Sequence, residues 1–283
     1  DQWGTYITTP KVSSRLATIA LETKVKNDSK SVVTAQLSSF ILNSKGAEVK
    51  RSVSTLKIKP GVVEKTKQII DIFNPELWTL ENPYLYKVIT QISVGGKVVD
   101  KYETPLGIRY FKFDAQKGFM LNGVSTKIKG VCMHHDLGCL GAAVNTRAIQ
   151  RQLEILKEMG CNGIRCSHNP PAPELLDLCD RMGFIVMDES FDMWRKKKTA
   201  HDYSRYFNEW HERDLTDHVL RDRNHPSIFM WSIGNEVLEQ WTDASADTLD
   251  LQAANLLLNF KRDPKMLANR GDSMSVNSLL TLK

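Results

Sequence analysis

Four short polar clusters mark the second half of the chain, each closing an apolar run: His134-His135-Asp136, Ser167-His168-Asn169-Pro170, Asp188-Glu189 and Asn235-Glu236. Their residue types are those of acid–base chemistry. Glu236 follows the nearly wholly apolar run 228–233. A carboxyl at the mouth of an apolar site is held toward its neutral form by desolvation, which suits a general acid near neutral pH. Asn235 beside it can hold a substrate hydroxyl without changing the charge balance. His134 and His168 can bind hydroxyls or, with Asp188, a metal ion, although no His-Glu-x-x-His pattern accompanies them. Arg165, inside the run 162–166, needs anionic partners if it faces inward. His135 points to the opposite face from His134 if the strand pleat continues. Trp194 and Trp231 offer ring faces on which a sugar could stack. Taken singly, each residue also has a plainer reading: Glu236 as a helix cap or surface ion pair, the histidines and tryptophans as packing, and Arg165 as an outside ion pair.

The elements between these clusters supply the positioning. Asn145 can cap a helix whose stripe is Ile149, Leu153 and Leu156, with Gly160 placed to end it. Residues 174–182 read as a second helix followed by Gly183, residues 206–220 as a third, and residues 249–260 as a further one. Strands are predicted over 162–166, 184–187 and 228–233, after short strand-like runs at 119–121 and 126–131. Alternation of strand and helix implies a parallel sheet with crossover helices, whose chemistry lies at the C-terminal strand ends. Upstream, residues 17–25, 33–41 and 84–94 alternate apolar and polar, and Gly95-Gly96 supplies a tight hairpin before 97–102. Short strands at this spacing, with no helical period, predict an immunoglobulin-like sandwich.

With 41% hydrophobic and 25% charged residues, the 283-residue chain has the composition of a folded globular protein. No apolar run approaches the length of a membrane span, so no membrane partner is expected. The net charge of +5 is mild, and the one dense basic run, residues 195–198, reads as a solvated loop. No basic stripe with interleaved aromatics suggests nucleic acid. Cys132, Cys139, Cys161, Cys166 and Cys179 form neither a disulfide framework nor a Cys-x-x-Cys zinc pair. The compartment is not legible, and cytoplasm and bacterial periplasm fit equally.

The chain is similar to family 2 glycoside hydrolases. The similarity lies in Gly107-Ile-Arg109, Gly118-Phe-Met-Leu-Asn-Gly123 and Lys129-Gly-Val-Cys-Met-His134-His-Asp136. It continues in Asn162-Gly-Ile-Arg165-Cys-Ser-His168-Asn-Pro170, Asp188-Glu189 and Arg221-Asp-Arg-Asn224-His-Pro-Ser-Ile-Phe-Met-Trp231-Ser-Ile-Gly-Asn235-Glu236. Within the family it most resembles β-galactosidases, then β-glucuronidases and β-mannosidases. The resemblance implies an immunoglobulin-like β-sandwich over 1–112, followed over 113–283 by the first half of a (β/α)8 TIM barrel. It implies a retaining β-glycosidase with Glu236 as general acid/base, Asn235, His134 and His168 as substrate-binding residues, and Arg165 orienting a nucleophilic glutamate. That glutamate belongs to the seventh barrel strand, and only four strands are expected here, so the chain by itself is expected to be inactive. The expected partner is a carbohydrate, a β-galactoside or a relative of it, with self-association through open sheet edges. No cofactor or metal is carried over. Where some β-galactosidases have magnesium ligands, this sequence reads Ser190-Phe-Asp-Met-Trp194, and Asn169 replaces a frequent Tyr. The alternatives are a β-glucuronidase or β-mannosidase of the same family, or a module that binds sugar without chemistry.

Overall fold

A computed structural model describes residues 1–241; the helix predicted at 249–260 lies outside them. Two compact units are present: Asp1–Tyr110 with Asn224–Pro226, and Phe111–Arg223 with the residues from Ser227 on.

The first unit contains seven strands: β1 (Thr5–Val12), β2 (Leu16–Lys26), β3 (Val33–Leu42), β4 (Glu48–Ile58), β5 (Val63–Phe73), β6 (Tyr86–Val94) and β7 (Lys97–Leu106). They pair antiparallel in two sheets, β1-β2-β5 and β4-β3-β6-β7, the arrangement of an immunoglobulin-like sandwich. Alternation puts Ala17, Ile19 and Leu21 of β2 into a core with Ile41, Ile70, Ile72 and Val88. Gly95 and Gly96, at φ 57 and 78, close the β6–β7 hairpin. The strands run 8–11 residues rather than being short. The first half of β5, Glu64-Lys65-Thr66-Lys67, presents no apolar face to signal it. Asn224 belongs to this unit through β1: it accepts from the Ile7 N–H (3.0 Å) and donates to the Thr5 carbonyl (2.9 Å).

The second unit opens with a small antiparallel sheet of β8 (Phe111–Asp114), β9 (Gly118–Leu121) and β10 (Val124–Ser125). Then follow β11 (Gly130–His134), α1 (Thr146–Glu158), β12 (Gly163–Ser167), α2 (Pro173–Met182), β13 (Ile185–Glu189), α3 (Ser204–Asp222) and β14 (Ile228–Ser232). β11 to β14 are parallel neighbours in chain order, so this is the first half of a (β/α)8 barrel. Asn145 caps α1 by accepting from the Ala148 N–H at 2.9 Å. Pro173 starts α2, and Gly183 ends it in the left-handed region. Among the described residues, no helix is long and apolar enough to cross a membrane.

One face of the parallel sheet carries Val131, Ile164, Cys166 and Val186 into a core with Leu153 and Leu176 of the helices. The other face carries Cys132, Arg165, Glu189 and Ser232, brought alongside one another by the strand register. A bulge sets that register: Val186 pairs with Ile228 but Met187 with Met230, leaving Phe229 as the extra residue.

The helix face also buries charge. His218 of α3 joins Asp188 (3.0 Å) and Asp222 (3.2 Å), while its Nδ1 meets the Ser190 hydroxyl at 2.9 Å. Arg221 grips Asp222 with two bonds of 2.6 Å. Burial drives Asp188 upward and outweighs the opposing pull of His218. Asp222, held by both His218 and Arg221, ends below the usual carboxylate range despite its burial. Burial alone would lower His218, but hydrogen bonds and charge from Asp188 and Asp222 raise it from 6.5 to about 9. A raised folded-state value gives stabilisation that is complete below the unfolded value and lost as pH climbs through the folded one. The unfolding free energy of the chain is therefore expected to fall by up to roughly 3 kcal/mol between pH 6.5 and 9. Denaturant midpoints across that window check this, and His218→Gln should lower the baseline and flatten the slope. An unchanged slope in that variant would place the pH sensitivity elsewhere.

Candidate active site

The site forms where the inner face of the sheet meets the loops after β13 and β14. Its base is Glu189, fully buried at 0% exposure. Arg165 Nη2 donates to both carboxylate oxygens (2.8 and 3.0 Å), and Nε donates to Oε2 at 3.2 Å. His168 Nδ1 lies 2.7 Å from Oε1, and the Ser232 hydroxyl donates to Oε2 at 2.6 Å. A carboxylate so fully paired has no lone pair to spare for attack; it is an anchor for Arg165 and His168.

Arg165 extends the network. Its Nη2 also donates to Asn235 Oδ1 at 2.8 Å, and the Asn235 amide donates onward to Asp192 Oδ1 at 2.9 Å. Nη1 reaches the Cys132 sulfur at 3.6 Å. Hydrogen bonds from Arg165 and Ser167 pull this exposed thiol below its ordinary value. His134 stands edge-on to His168, with ring centroids 5.1 Å apart and planes at 89°. The peptide bond between Ser167 and His168 is cis.

The two loops lock together. The Asn235 N–H donates to the Phe191 carbonyl (3.0 Å), and Trp194 Nε1 donates to the Ile233 carbonyl (2.8 Å). Trp194 passes so close over Gly234 that a Cβ there would sit 2.9 Å from its Nε1 and 2.5 Å from Val237 Cγ2. Lys198 Nζ donates to Asp192 Oδ1 (2.8 Å), to the Asp192 carbonyl (2.9 Å) and to the Asn235 carbonyl (2.8 Å). Burial pushes the Asp192 carboxyl up, but the bonds from Lys198 and Asn235 bring it below the usual range. Glu236 follows at φ 44, with its side chain 67% exposed and its Oε2 3.6 Å from Lys198 Nζ.

The structure thus gathers His134, Arg165, His168, Asn235 and Glu236 at the C-terminal ends of β11, β12 and β14. Several sequence expectations are corrected. Glu236 stands beside a lysine, its side chain 67% exposed in this chain. Asp188 faces α3 rather than the mouth, because neighbouring strand residues point to opposite faces, so His134, His168 and Asp188 make no common metal site. Trp231 packs edge-on against His218 on the helix side, and Trp194 stacks on Phe207, as the packing reading of both has it. The run 195–198 is not simply solvated: Lys198 is only 17% exposed. His135 turns to the Ala142 carbonyl at 2.8 Å. Asp192, Lys198 and Ser232 were not singled out from sequence. Ser232 carries a signal, as the sole hydroxyl in an apolar strand, whereas Lys198 is hidden among like charges.

Two family descriptions match the chain: glycosyl hydrolases family 2 over residues 4–109, and the TIM barrel domain of the same family over residues 114–257. The β-galactosidase BoGH2A of Bacteroides ovatus is 62% identical over 281 residues, covering 99% of this chain and 33% of its own length. A β-glucuronidase of Formosa agariphila is 30% identical over 93% of this chain and 27% of its own. Among solved structures, a glycosyl hydrolase family 2 member from Bacteroides cellulosilyticus superposes with a TM-score of 0.86 at 37% identity, covering 95% of this chain and 34% of its own. The chain spans about a third of the length of the relatives it matches.

Proposed function

The chain belongs to glycosyl hydrolases family 2, and on that premise we propose that it carries the acid/base half of a retaining β-glycosidase acting on terminal β-galactosides. The supporting observation is the unbroken path from buried Glu189 through Arg165 to Asn235, which ends beside Glu236. In this reading the Glu236 carboxyl gives a proton to the departing glycosidic oxygen and later takes one from the attacking water. The glycosyl group rests meanwhile on a second carboxylate about 5–5.5 Å away. That nucleophile belongs to a later strand of the complete barrel, since Glu189 is saturated. Asn235 has spent one amide N–H on Asp192, and the other serves a sugar hydroxyl. His134 and His168 Nε2 take further hydroxyls of the glycone. Arg165 has committed both Nη2 hydrogens and Nε; one Nη1 hydrogen has no partner among the described residues and suits the nucleophile. In the 283-residue chain by itself, β11 and β14 are the outer strands of the parallel sheet among the described residues, and their edges suit self-association.

High identity to a relative named as a β-galactosidase supports the glycone assignment, while more distant relatives named as β-glucuronidases supply the competing one. A panel of aryl β-glycosides on the full native protein tests it. The galactoside is expected to exceed the glucuronide and mannoside at least about ten-fold in kcat/KM, equivalent to about 1.4 kcal/mol of transition-state discrimination. The 283 residues alone should turn over none of them. Preference for glucuronide would replace the substrate, and no turnover of any glycoside would favour a binding module.

A further inference from the structure

We propose that Lys198 is a positioning residue for the acid/base carboxyl: its ammonium fixes the peptide leading into Glu236 and holds the carboxylate at the mouth by charge. The inference rests on reading Glu236 as the acid/base. An ammonium has three N–H donors, and those of Lys198 meet Asp192 Oδ1, the Asp192 carbonyl and the Asn235 carbonyl at 2.8–2.9 Å. All three are spent, so the head group cannot swing away without losing bonds in a partly buried place. Glu236 Oε2, at 3.6 Å, is then held by the positive charge rather than by a hydrogen bond.

The backbone strengthens the argument. Glu236 adopts φ 44, a left-handed conformation that costs a residue with a side chain some stability and persists only where surrounding contacts enforce it. Those contacts lie on both sides of residue 235: its N–H binds the Phe191 carbonyl and its C=O binds Lys198. Lys198 is itself pinned, because Asp202 Oδ2 accepts from its N–H at 2.7 Å and from the Thr199 N–H at 2.8 Å. Among the described residues, Glu236 has no other charged partner. Lys198 therefore determines where the carboxyl stands relative to the bond it must protonate, and a displacement of about 1 Å at such a group can cost on the order of 10²-fold in rate.

Leaving-group dependence tests this in the full native protein, using the glycone identified by the aryl-glycoside panel. A 2,4-dinitrophenolate departs without a proton, whereas a phenolate needs one. Lys198→Met is expected to lower kcat/KM for the phenyl glycoside by about ten- to a hundred-fold and to leave the dinitrophenyl glycoside within about three-fold. The ratio of the two substrates within one preparation cancels any loss of folded protein. Lys198→Arg, whose planar fork cannot reproduce three separate contacts, should recover only part of the ratio. Glu236→Gln sets the scale. If it shows the leaving-group effect while both lysine variants keep the wild-type ratio, the role of Lys198 is overturned and the acid/base reading stands. If Glu236→Gln itself is indifferent to the leaving group, both fall.

Discussion

Glu236→Gln in the full native protein is expected to reduce kcat/KM for a phenyl β-glycoside by about 10²–10⁴-fold, the span that a positioned general acid contributes. Glutamine matches the shape of the side chain but has no proton to give to a departing phenolate and no basic oxygen to activate water. In the 283-residue chain, stability should hardly change. The side chain is 67% exposed and its one ionic contact, to Lys198, is long at 3.6 Å, and substitutions at such surface positions usually stay within about 0.5 kcal/mol. Separation of the two effects is the check: activity of the full protein collapses while the denaturant midpoint of the 283-residue chain stays in place. Azide gives a second reading, because the anion attacks the glycosyl–enzyme without a base and leaves as the β-glycosyl azide. Restored turnover of an activated aryl glycoside in azide would assign the missing function to base catalysis. Retention of more than about a tenth of wild-type activity on the phenyl substrate would remove Glu236 from the chemistry.

Arg165→Leu carries the largest expected cost in stability. It strips Glu189, at 0% exposure, of its bidentate partner and leaves only His168 and Ser232 against the carboxylate. Removing one member of a buried ion pair costs about 3–5 kcal/mol, most of it the penalty of stranding the other charge. The expectation is a loss of that size in the unfolding free energy of the 283-residue chain. The pair Arg165→Leu/Glu189→Leu should recover a substantial part of it, since no charge is then left unpaired. A single variant within about 1 kcal/mol of wild type would show that Glu189 does not depend on the arginine. In the full native protein Arg165→Leu should also impair turnover, because the same guanidinium orients the Asn235 amide.

The helices and strands were legible where a local rule had one outcome. Asn145 could cap and did, Gly183 could end α2 and did, and alternation at 17–25 predicted the buried face of β2. α3 shows where such rules weaken. Its inward face includes His218 and Asp222, which pair with each other and, through His218, with Asp188 of the strand beneath, and His211, which meets the Phe207 carbonyl of its own helix, so its apolar period is diluted. The site divides in the same way. Four polar strand ends were visible as a group because the βα order forces them to one rim. What each faced was not visible. Asp188 and Glu189 are chemically alike and adjacent, yet one is locked to His218 under α3 and the other to Arg165 at the mouth. Lys198 was missed because its neighbours share its charge, and burial is not written in charge. The left-handed turn at Glu236 is likewise not encoded by residue type alone.

The extra residue in β14, Phe229, acts as a phase shifter. Upstream of it Ile228 packs with Val186 in the helix-side core; downstream, Ser232 lies opposite Glu189 with its hydroxyl on the carboxylate. Were the same residues paired without the bulge, the strand would reach its end one residue out of step, presenting Trp231 where Ser232 now meets Glu189. Strand length is therefore part of the chemistry. A residue gained or lost between the bulge and Ser232 would rewrite the site without touching any member of it, whereas loss of Phe229 alone would remove the bulge and leave Ser232 opposite Glu189.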